Sequence, residues 1–294
     1  MYAGLAVVFW STIGTSMNLS LRHTDVMNLL FWAVLTAVVL HGLVVWSRGL
    51  MPRVRPVGWP EWRMTLFTGF LNPFLYYIVL LRAYDLLPAQ EAGTLNYFWP
   101  VVLVLLSIPV LGQKPGWRGI LGILTGFAGL VVISTHGDPF AMQFSNETGV
   151  MLAIGSAVVW AVYWLAGMKD QRPDEVKLFT GFLTALVLLS VTMVVTGSFA
   201  FPSFYGLMGG IYLGIFEMGI TFLLWMKALR LAPDTARVSN LVFLSPFLSL
   251  VFIHFIVGEP ILTSTLAGLL LVVAGILIQQ KRRKPVAAAG LEQH

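Results

Sequence analysis

The chain has no cysteine among its 294 residues. This absence excludes disulfides, thiolate metal sites and thiol nucleophiles together. Charge is also scarce, since Asp, Glu, Lys and Arg make up 11% of the residues where an ordinary soluble domain carries about 25%. Hydrophobic residues reach 57%, and the mean hydropathy is +0.83. These values exclude an ordinary soluble domain and predict a membrane protein.

Sequence signatures of enzymes are missing as well. The chain has no GxSxG elbow, no HExxH, no Walker loop and no GxGxxG. His41 and His254 stand alone, without an acid or a second histidine at ligand spacing, so neither a metal nor a cofactor is expected. Without a phosphate-binding loop, any transport must be driven by a gradient of solute or ions. An intramembrane enzyme or a non-transporting sensor stays open as an alternative, but either needs a nucleophile, a metal cluster or an output domain.

Ten apolar runs are long enough to cross a bilayer, for which a helix needs about 20 residues with all backbone groups paired internally. The runs are Tyr2 to Leu21, Asn28 to Trp46, Leu66 to Tyr84, Ala92 to Leu111, Gly116 to Ser134, Gly149 to Met168, Leu178 to Thr196, Tyr205 to Leu229, Val238 to Val257 and Leu262 to Ile278. The sequence therefore predicts an all-α polytopic membrane protein with ten transmembrane helices, called spans 1 to 10.

The basic residues predict the orientation of these spans. With the N-terminus in the cytoplasm, sixteen of the 18 Lys and Arg residues fall on the cytoplasmic side, and only Arg22 and Arg82 fall outside. Basic residues collect in cytoplasmic loops of membrane proteins. This distribution also accounts for the net charge of +5 without a nucleic-acid partner. Both termini are therefore expected in the cytoplasm.

An internal repeat relates the two halves of the chain. The stretch from Gly69 to Pro100 returns as Gly214 to Pro246, and an offset of 145 pairs Asn72 with Glu217. Five spans are an odd number, so the second copy enters the membrane from the opposite side. The prediction is a 5+5 inverted-topology repeat, a common construction of secondary transporters.

The repeat predicts the domain boundaries. Residues 1–137 form the first five-helix unit and residues 138–285 the second, inverted one. Residues 286–294 are expected to be a disordered tail, whose last four residues resemble a vector scar.

Spans 3 and 8 carry the first candidate site residues. Asn72 and Tyr76 are four residues apart and share a helix face, and Glu217 and Thr221 repeat this spacing in the second copy. Glu217 lies in an apolar span, where a carboxylate must be neutral, paired or hydrated. It binds a substrate ammonium, carries a proton or makes a structural hydrogen bond, and the sequence leaves all three open.

Spans 4 and 9 carry the second group, placed just before a proline in each copy. The candidates are Asn96, Tyr97 and Trp99 before Pro100, and Asn240 and Phe243 before Pro246. A proline within a span removes one backbone hydrogen bond and opens the helix. Pro100 and Pro246 are therefore candidate hinges of two gating helices, with a packing kink as the alternative.

Spans 1 and 6 complete the predicted cavity with Trp10, Asn18, Trp160 and Tyr163. A buried amide such as that of Asn18 needs a neighbour and therefore faces the bundle interior. Rings that line a cavity stack on flat apolar ligands, and their faces attract cations. Taken one at a time, such rings are more often core, but the whole set indicates an amphipathic organic solute.

Several short motifs resemble the EamA type of the drug/metabolite transporter superfamily. They are Trp10-Ser11, Ala83 to Pro88, Pro100, Gly258-Glu259-Pro260 and the final span AGLLLVVAGILI. The stretch RAYDLLPAQEAGTLNYFWP also resembles that of bacterial aromatic amino acid exporters. The first copy departs from the pattern, with Gly112-Gln113-Lys114-Pro115 in place of Gly-Glu-Pro.

The resemblance implies a multi-pass exporter in the bacterial inner membrane, with a cavity formed by spans 1, 3, 4, 6, 8 and 9. Its expected partners are membrane lipid and a small-molecule substrate, and no obligate protein partner is evident. The expected substrates are aromatic and other neutral amino acids, with tolerance for cationic drugs, moved by alternating access. A carrier of sugars or other metabolites of the same superfamily is the alternative.

Overall fold

The computed structural model describes residues 1–55, 58–111, 117–138, 145–167, 170–231, 241 and 244–280. Within these ranges all regular secondary structure is helical. The α-helices are α1 Tyr2–Leu21, α2 Val26–Ser47, α3 Trp59–Gly69, α4 Tyr76–Leu86, α5 Ala89–Asn96, α6 Trp99–Leu111, α7 Trp117–Ser134, α8 Glu147–Gly167, α9 Asp174–Thr196, α10 Phe204–Tyr212, α11 Ile220–Leu231, α12 Leu244–Phe252 and α13 Thr263–Gln280. The predicted tail 286–294 and the candidates Asn240 and Phe243 lie outside the described residues.

The fold class is confirmed as all-α and polytopic. Seven stretches of the described chain are helical, long and apolar enough to cross a membrane, and three shorter apolar helices accompany them. The seven are Tyr2–Leu21, Val26–Ser47, Trp59–Leu86, Ala89–Val110, Glu147–Gly167, Asp174–Thr196 and Phe204–Trp225. The shorter ones are Trp117–Ile133, Leu244–Val257 and Thr263–Ile278. The ten-span 5+5 arrangement stays a prediction.

The third and eighth predicted spans are not continuous α-helices. A π-helical segment, Phe70–Leu75, separates α3 from α4, and another, Leu213–Glu217, follows α10. In the first segment Asn72 has extended backbone angles, φ −145° and ψ 123°. Pro73 follows it and cannot donate a backbone hydrogen bond, which accounts for the break. Such π segments inside helices are frequent at functional sites.

Close helix contacts recur at equivalent places in the two halves. A β-carbon on Gly69 would lie 2.7 Å from the carbonyl oxygen of Gly181 in α9. A β-carbon on Gly214 would overlap the carbonyl oxygen of Ala33 in α2. Gly69 and Gly214 are paired by the sequence repeat, so each copy places its span-3-type helix against the second helix of the other copy.

Helices α7 and α13 pack backbone to backbone. A β-carbon on Gly129 would lie 2.5 Å from the carbonyl oxygen of Gly268, and one on Gly275 would lie 2.5 Å from that of Gly122. Small residues allow this approach, as in other membrane helix pairs. The two helices correspond to predicted spans 5 and 10.

Helices α2 and α9 run antiparallel and define two ends of the bundle. At one end Arg48 forms an ion pair with Glu175. At the other end the amide nitrogen of Asn28 donates to the carbonyl oxygen of Ser198, and its oxygen accepts from the backbone nitrogen of Ala200. These ends are called the Arg48 face and the Asn28 face below.

Candidate functional site

A cavity of about 320 Å³ lies between α3, the Phe70–Leu75 segment, α8, α9 and α11. Aromatic rings form much of its wall, and a few polar groups stand among them. It is lined by Thr68, Asn72, Tyr163, Trp164, Gly167, Asp170, Asp174, Lys177, Leu178, Gly181, Phe182, Phe222 and Trp225. An apolar pocket with a few placed polar groups is the usual form of a small-molecule site.

The cavity opens towards the Arg48 face. Its rim carries an ion pair between Lys177 Nζ and Asp174 Oδ1, 2.7 Å apart, with side chains 25% and 31% exposed. Both residues belong to the first turns of α9, next to Glu175, which pairs with Arg48. The cavity mouth therefore offers both signs of charge.

Asp170 holds a second charge at this rim. Arg172 donates to it from Nη2 at 2.7 Å and from Nε at 3.1 Å. Burial raises the pKa of the Asp170 carboxyl, but the hydrogen bonds and the charge of Arg172 outweigh burial, so this pKa lies below its ordinary value. Asp170 is therefore ionised at neutral pH.

Asn72 supplies the deepest polar group of the cavity wall. Asn72 is 2% exposed, and neither its amide nitrogen nor its amide oxygen has a hydrogen-bond partner among the described residues. The hydroxyl of Tyr163 faces this amide without completing a bond of ordinary geometry. Buried polar groups in native proteins are nearly always satisfied. The unpaired amide can therefore donate to and accept from a bound ligand.

Trp160 is the centre of an aromatic cluster that adjoins the cavity, although neither Trp160 nor Tyr76 is among the residues that line it. The ring centroid of Trp160 lies 4.6 Å from that of Tyr76 and 5.6 Å from that of Tyr163. Trp164 and Phe222 lie 6.0 Å from it, both close to edge-to-face. These separations are typical of favourable aromatic pairs. Three of the predicted rings, Tyr76, Trp160 and Tyr163, thus lie in one cluster.

Trp10 joins this cluster from α1. Its ring lies 6.4 Å from Phe222 and 5.2 Å from Trp225, and both of these line the cavity. Phe222 and Trp225 lie on α11, which follows the second helix break. Neither Phe222 nor Trp225 is among the site residues predicted from the sequence.

Asn96 ties α5 to α4 and α8. Its amide oxygen accepts from the hydroxyl of Tyr76 at 3.3 Å, and its amide nitrogen donates to the hydroxyl of Ser156 at 2.8 Å. Ser156 in turn donates to the carbonyl oxygen of Ala153. This chain fixes the ring of Tyr76 against Trp160.

Glu217 and Thr221 lie beside the second helix break. The hydroxyl of Tyr77 donates to Glu217 Oε1 at 2.8 Å, and Glu217 Oε2 has no hydrogen-bond partner in the part of the chain that the structure describes. Thr221 is fully buried, and its hydroxyl donates to the carbonyl oxygen of Phe216. Neither Glu217 nor Thr221 is among the residues that line the cavity.

Three further candidates lie away from the cavity. The amide oxygen of Asn18 accepts from Arg22 Nη2 at 3.1 Å near the end of α1. Tyr97 ends α5, with its hydroxyl at Ser245 of α12. Trp99 begins α6 and packs, partly buried, on the main hydrophobic core.

The predicted hinge Pro100 lies in the first turn of a helix, whereas for Pro246 the residues directly before α12 lie outside the described ones. Pro100 is the second residue of α6, and Pro246 is the third residue of α12. The first backbone nitrogens of a helix have no intrahelical partner, so a proline there costs no hydrogen bond. In the first copy the chain leaves helical geometry just before the proline, at Tyr97 and Phe98. The role of Pro100 and Pro246 as hinges stays a prediction.

Glu259 forms a contact on the Asn28 face that the sequence analysis did not foresee. Its carboxylate accepts from the backbone nitrogens of Ala89 at 2.9 Å and Gln90 at 3.3 Å, the first residues of α5. Gln90 Nε2 donates to the carbonyl oxygen of Pro260 at 2.7 Å, and Gln90 Oε1 accepts from the nitrogen of Leu262. These bonds, called the Glu259 cap, join the loop before α13 to α5.

A buried ring-lined cavity within a bundle of apolar spans defines a multi-span membrane protein with an internal small-molecule chamber. The chain belongs to the EamA-like transporter family, whose model matches residues 1–135 and 147–279. The expected resemblance to this type of the drug/metabolite transporter superfamily is confirmed.

Individual proteins show similarity over most of the chain. It is 29% identical over 246 residues to the uncharacterized transporter YvbV of Bacillus subtilis (strain 168), covering 82% of this chain and 79% of that protein. It is 29% identical over 206 residues to the aromatic amino acid exporter YddG of Ancylobacter novellus, covering 69% of each. One crystal structure matches with a TM-score of 0.68 and 23% identity, and the match covers 95% of this chain and 96% of the chain in that structure. This similarity shows the fold alone.

Proposed function

We propose that the protein is a secondary transporter that exports amino acids, aromatic and other neutral ones foremost, across the bacterial inner membrane. The cavity carries this proposal, because it combines ring walls, an unpaired buried amide at Asn72 and charges of both signs at its mouth. An aromatic side chain would stack on Tyr163 and Trp164. The amino and carboxyl groups would lie towards Asp174 and Lys177.

The substrate class is supported by one relative in particular. The similar protein from Ancylobacter novellus is named an aromatic amino acid exporter. The ring faces of the cavity would also accommodate flat organic cations, so cationic drugs are included among the substrates to test.

Alternating access through inverted halves is the proposed mechanism. One family model matches residues 1–135 and again 147–279, which supports units bounded at 137 and 138. The equivalent contacts of Gly69 and Gly214 support the inversion. Rocking of one half against the other would move the cavity opening from one face to the other.

The Arg48 face is the proposed cytoplasmic side. The loop after α2 holds Arg48, Arg53 and Arg55 in its described part, and basic loops stay in the cytoplasm. His136, which follows α7, lies at the other end, where its Nε2 is 3.5 Å from Glu91 Oε2. In this orientation the cavity is open to the cytoplasm, as an exporter requires for loading.

The first test is transport of labelled phenylalanine by the protein in proteoliposomes. We expect Tyr163→Ala to raise KM about tenfold, because loss of one stacking ring and its hydroxyl removes about 1.5 kcal/mol of binding. Tyr205→Ala is the matched control, since Tyr205 is 68% exposed and lies outside the cavity, and its KM should equal that of the parent.

Three results would contradict the proposal in different ways. Equal KM values for Tyr163→Ala and the parent would remove the cavity from the substrate path. Transport of a labelled sugar without any amino acid transport would assign the protein to the sugar or metabolite carriers of the superfamily. Absence of all solute transport would favour a sensor or an enzyme.

A further inference from the structure

Asn72 and Glu217 occupy equivalent positions in the two halves, yet they differ in charge and in surroundings. Each lies in a π-helical segment, Phe70–Leu75 and Leu213–Glu217. Asn72 lines the cavity that opens on the Arg48 face, whereas Glu217 is 7% exposed and is not part of the cavity wall. Among the described residues, the first copy of the site therefore borders the cavity, while the second, called the sealed copy below, does not.

Among the described residues, no positively charged side chain forms an ion pair with Glu217. From α4, Tyr77 donates to Oε1, and Tyr76 and Tyr84 lie within electrostatic reach, as does Tyr97 from the end of α5. From α2, the buried His41 donates through Nε2 to the carbonyl oxygen of Met218 at 2.8 Å. The described part of α1 holds no charged side chain, and no salt bridge to Glu217 occurs within the described ranges.

An ionised carboxylate in this place would be unpaired within a membrane span. Such a charge is energetically unfavourable, because one hydrogen bond from a tyrosine does not compensate for the lost hydration of the carboxylate. Glu217 Oε2 also lacks a donor, so it has a free position for a proton. The sealed geometry therefore favours the neutral carboxylic acid.

Inverted repeats exchange their conformations when the transporter turns over. After this exchange the second copy takes the open arrangement, and Glu217 meets water on the Asn28 face while Asn72 is sealed. An ionised carboxylate is stable in water. The same group is thus neutral in one state and ionised in the other, which links the two states to a proton.

We propose that Glu217 is a proton-binding site that sets the balance between the two conformations. It takes up a proton from the Asn28 face when that face closes and returns the proton to the same face when it opens. The inference rests on the alternating access of the proposed function. Because the sealed state holds the proton, a lower pH on the Asn28 face favours the cavity-open state seen here, and a higher pH favours the opposite one.

The test measures the distance between spin labels on the Asn28 face as the pH changes. Labels on Asp85→Cys and Thr263→Cys flank the Glu259 cap, and both positions are exposed in a chain that has no other cysteine. In the parent, we expect the ratio of short to long distances to change by up to about tenfold per pH unit. Glu217→Gln should abolish the change, and Glu217→Asp should keep it.

Glu147→Gln is the control, because Glu147 is an exposed acid that begins α8 on the same face. The distance between the labels should change with pH in this variant as it does in the parent. A parent distance that is independent of pH would overturn the proposal. So would a pH response that persists in Glu217→Gln, because Glu91, His136 or Glu259 on that face would then be its source. The spin-label measurement needs no substrate. A pH response that depends on Glu217, in a protein that transports no amino acid, would therefore refute the exporter proposal but still support the proton-binding site.

Discussion

Replacing Glu259 by alanine is expected to open the Asn28 face of the transporter. The Glu259 carboxylate accepts two hydrogen bonds from the first backbone nitrogens of α5, where the helix dipole also favours a negative charge. A hydrogen bond to a charged group is worth about 1.5–3 kcal/mol, and these bonds hold the two halves together at this face. Their loss should favour the state that is open on the Asn28 face about 10- to 100-fold.

Labelling of a single cysteine measures this shift. Ser245→Cys suits the purpose, because Ser245 is fully buried beside Ser11 and the chain has no native cysteine. A membrane-impermeant thiol reagent added on the Asn28 face should react about 10- to 100-fold faster when Glu259→Ala is present, in proportion to the population of the open state. Glu147→Ala, an exposed acid on the same face, should leave the rate unchanged. Equal rates in the Glu259 variant and the parent would show that the cap does not hold this face closed.

The sequence predicted the long apolar helices well, because long apolar runs identify spans without any tertiary information. The repeat pairs Asn72 with Glu217, and both residues lie in π-helical segments that the sequence did not predict. Pro73 was the sequence signal for the first break. Span 3 was identified from its apolar residues alone, so this proline was not used.

Contacts between distant parts of the chain could not be predicted in this way. The Glu259 cap joins residues 170 positions apart, and the Gly-Glu-Pro motif gives no sign of which helix it meets. The cavity rim was missed for a different reason. Asp174 and Lys177 lie at the beginning of α9, just before the predicted span Leu178 to Thr196, and only the packing of that helix against α3 brings them to the cavity.

Gly275→Ala is expected to destabilise the protein strongly. A β-carbon there would lie 2.5 Å from the carbonyl oxygen of Gly122 and 2.7 Å from the backbone nitrogen of Gly126. Backbone atoms cannot rotate away as a flexible side chain can, so α7 and α13 must separate along their contact. Overpacking of this kind costs about 1–3 kcal/mol, and the Gly129 contact with Gly268 in the same interface would be strained as well.

Thermal unfolding in detergent, followed by exposure of buried tryptophans, measures the cost. The midpoint should fall by about 3–10 °C in Gly275→Ala. Gly4→Ala is the matched control, because Gly4 also lies within a helix but has no atom within 4 Å of its added β-carbon. Alanine is the better helix former, so the control should melt at or slightly above the parent temperature. If both variants melt alike, the α7–α13 interface has room for a methyl group, and the close backbone contact contributes little to stability.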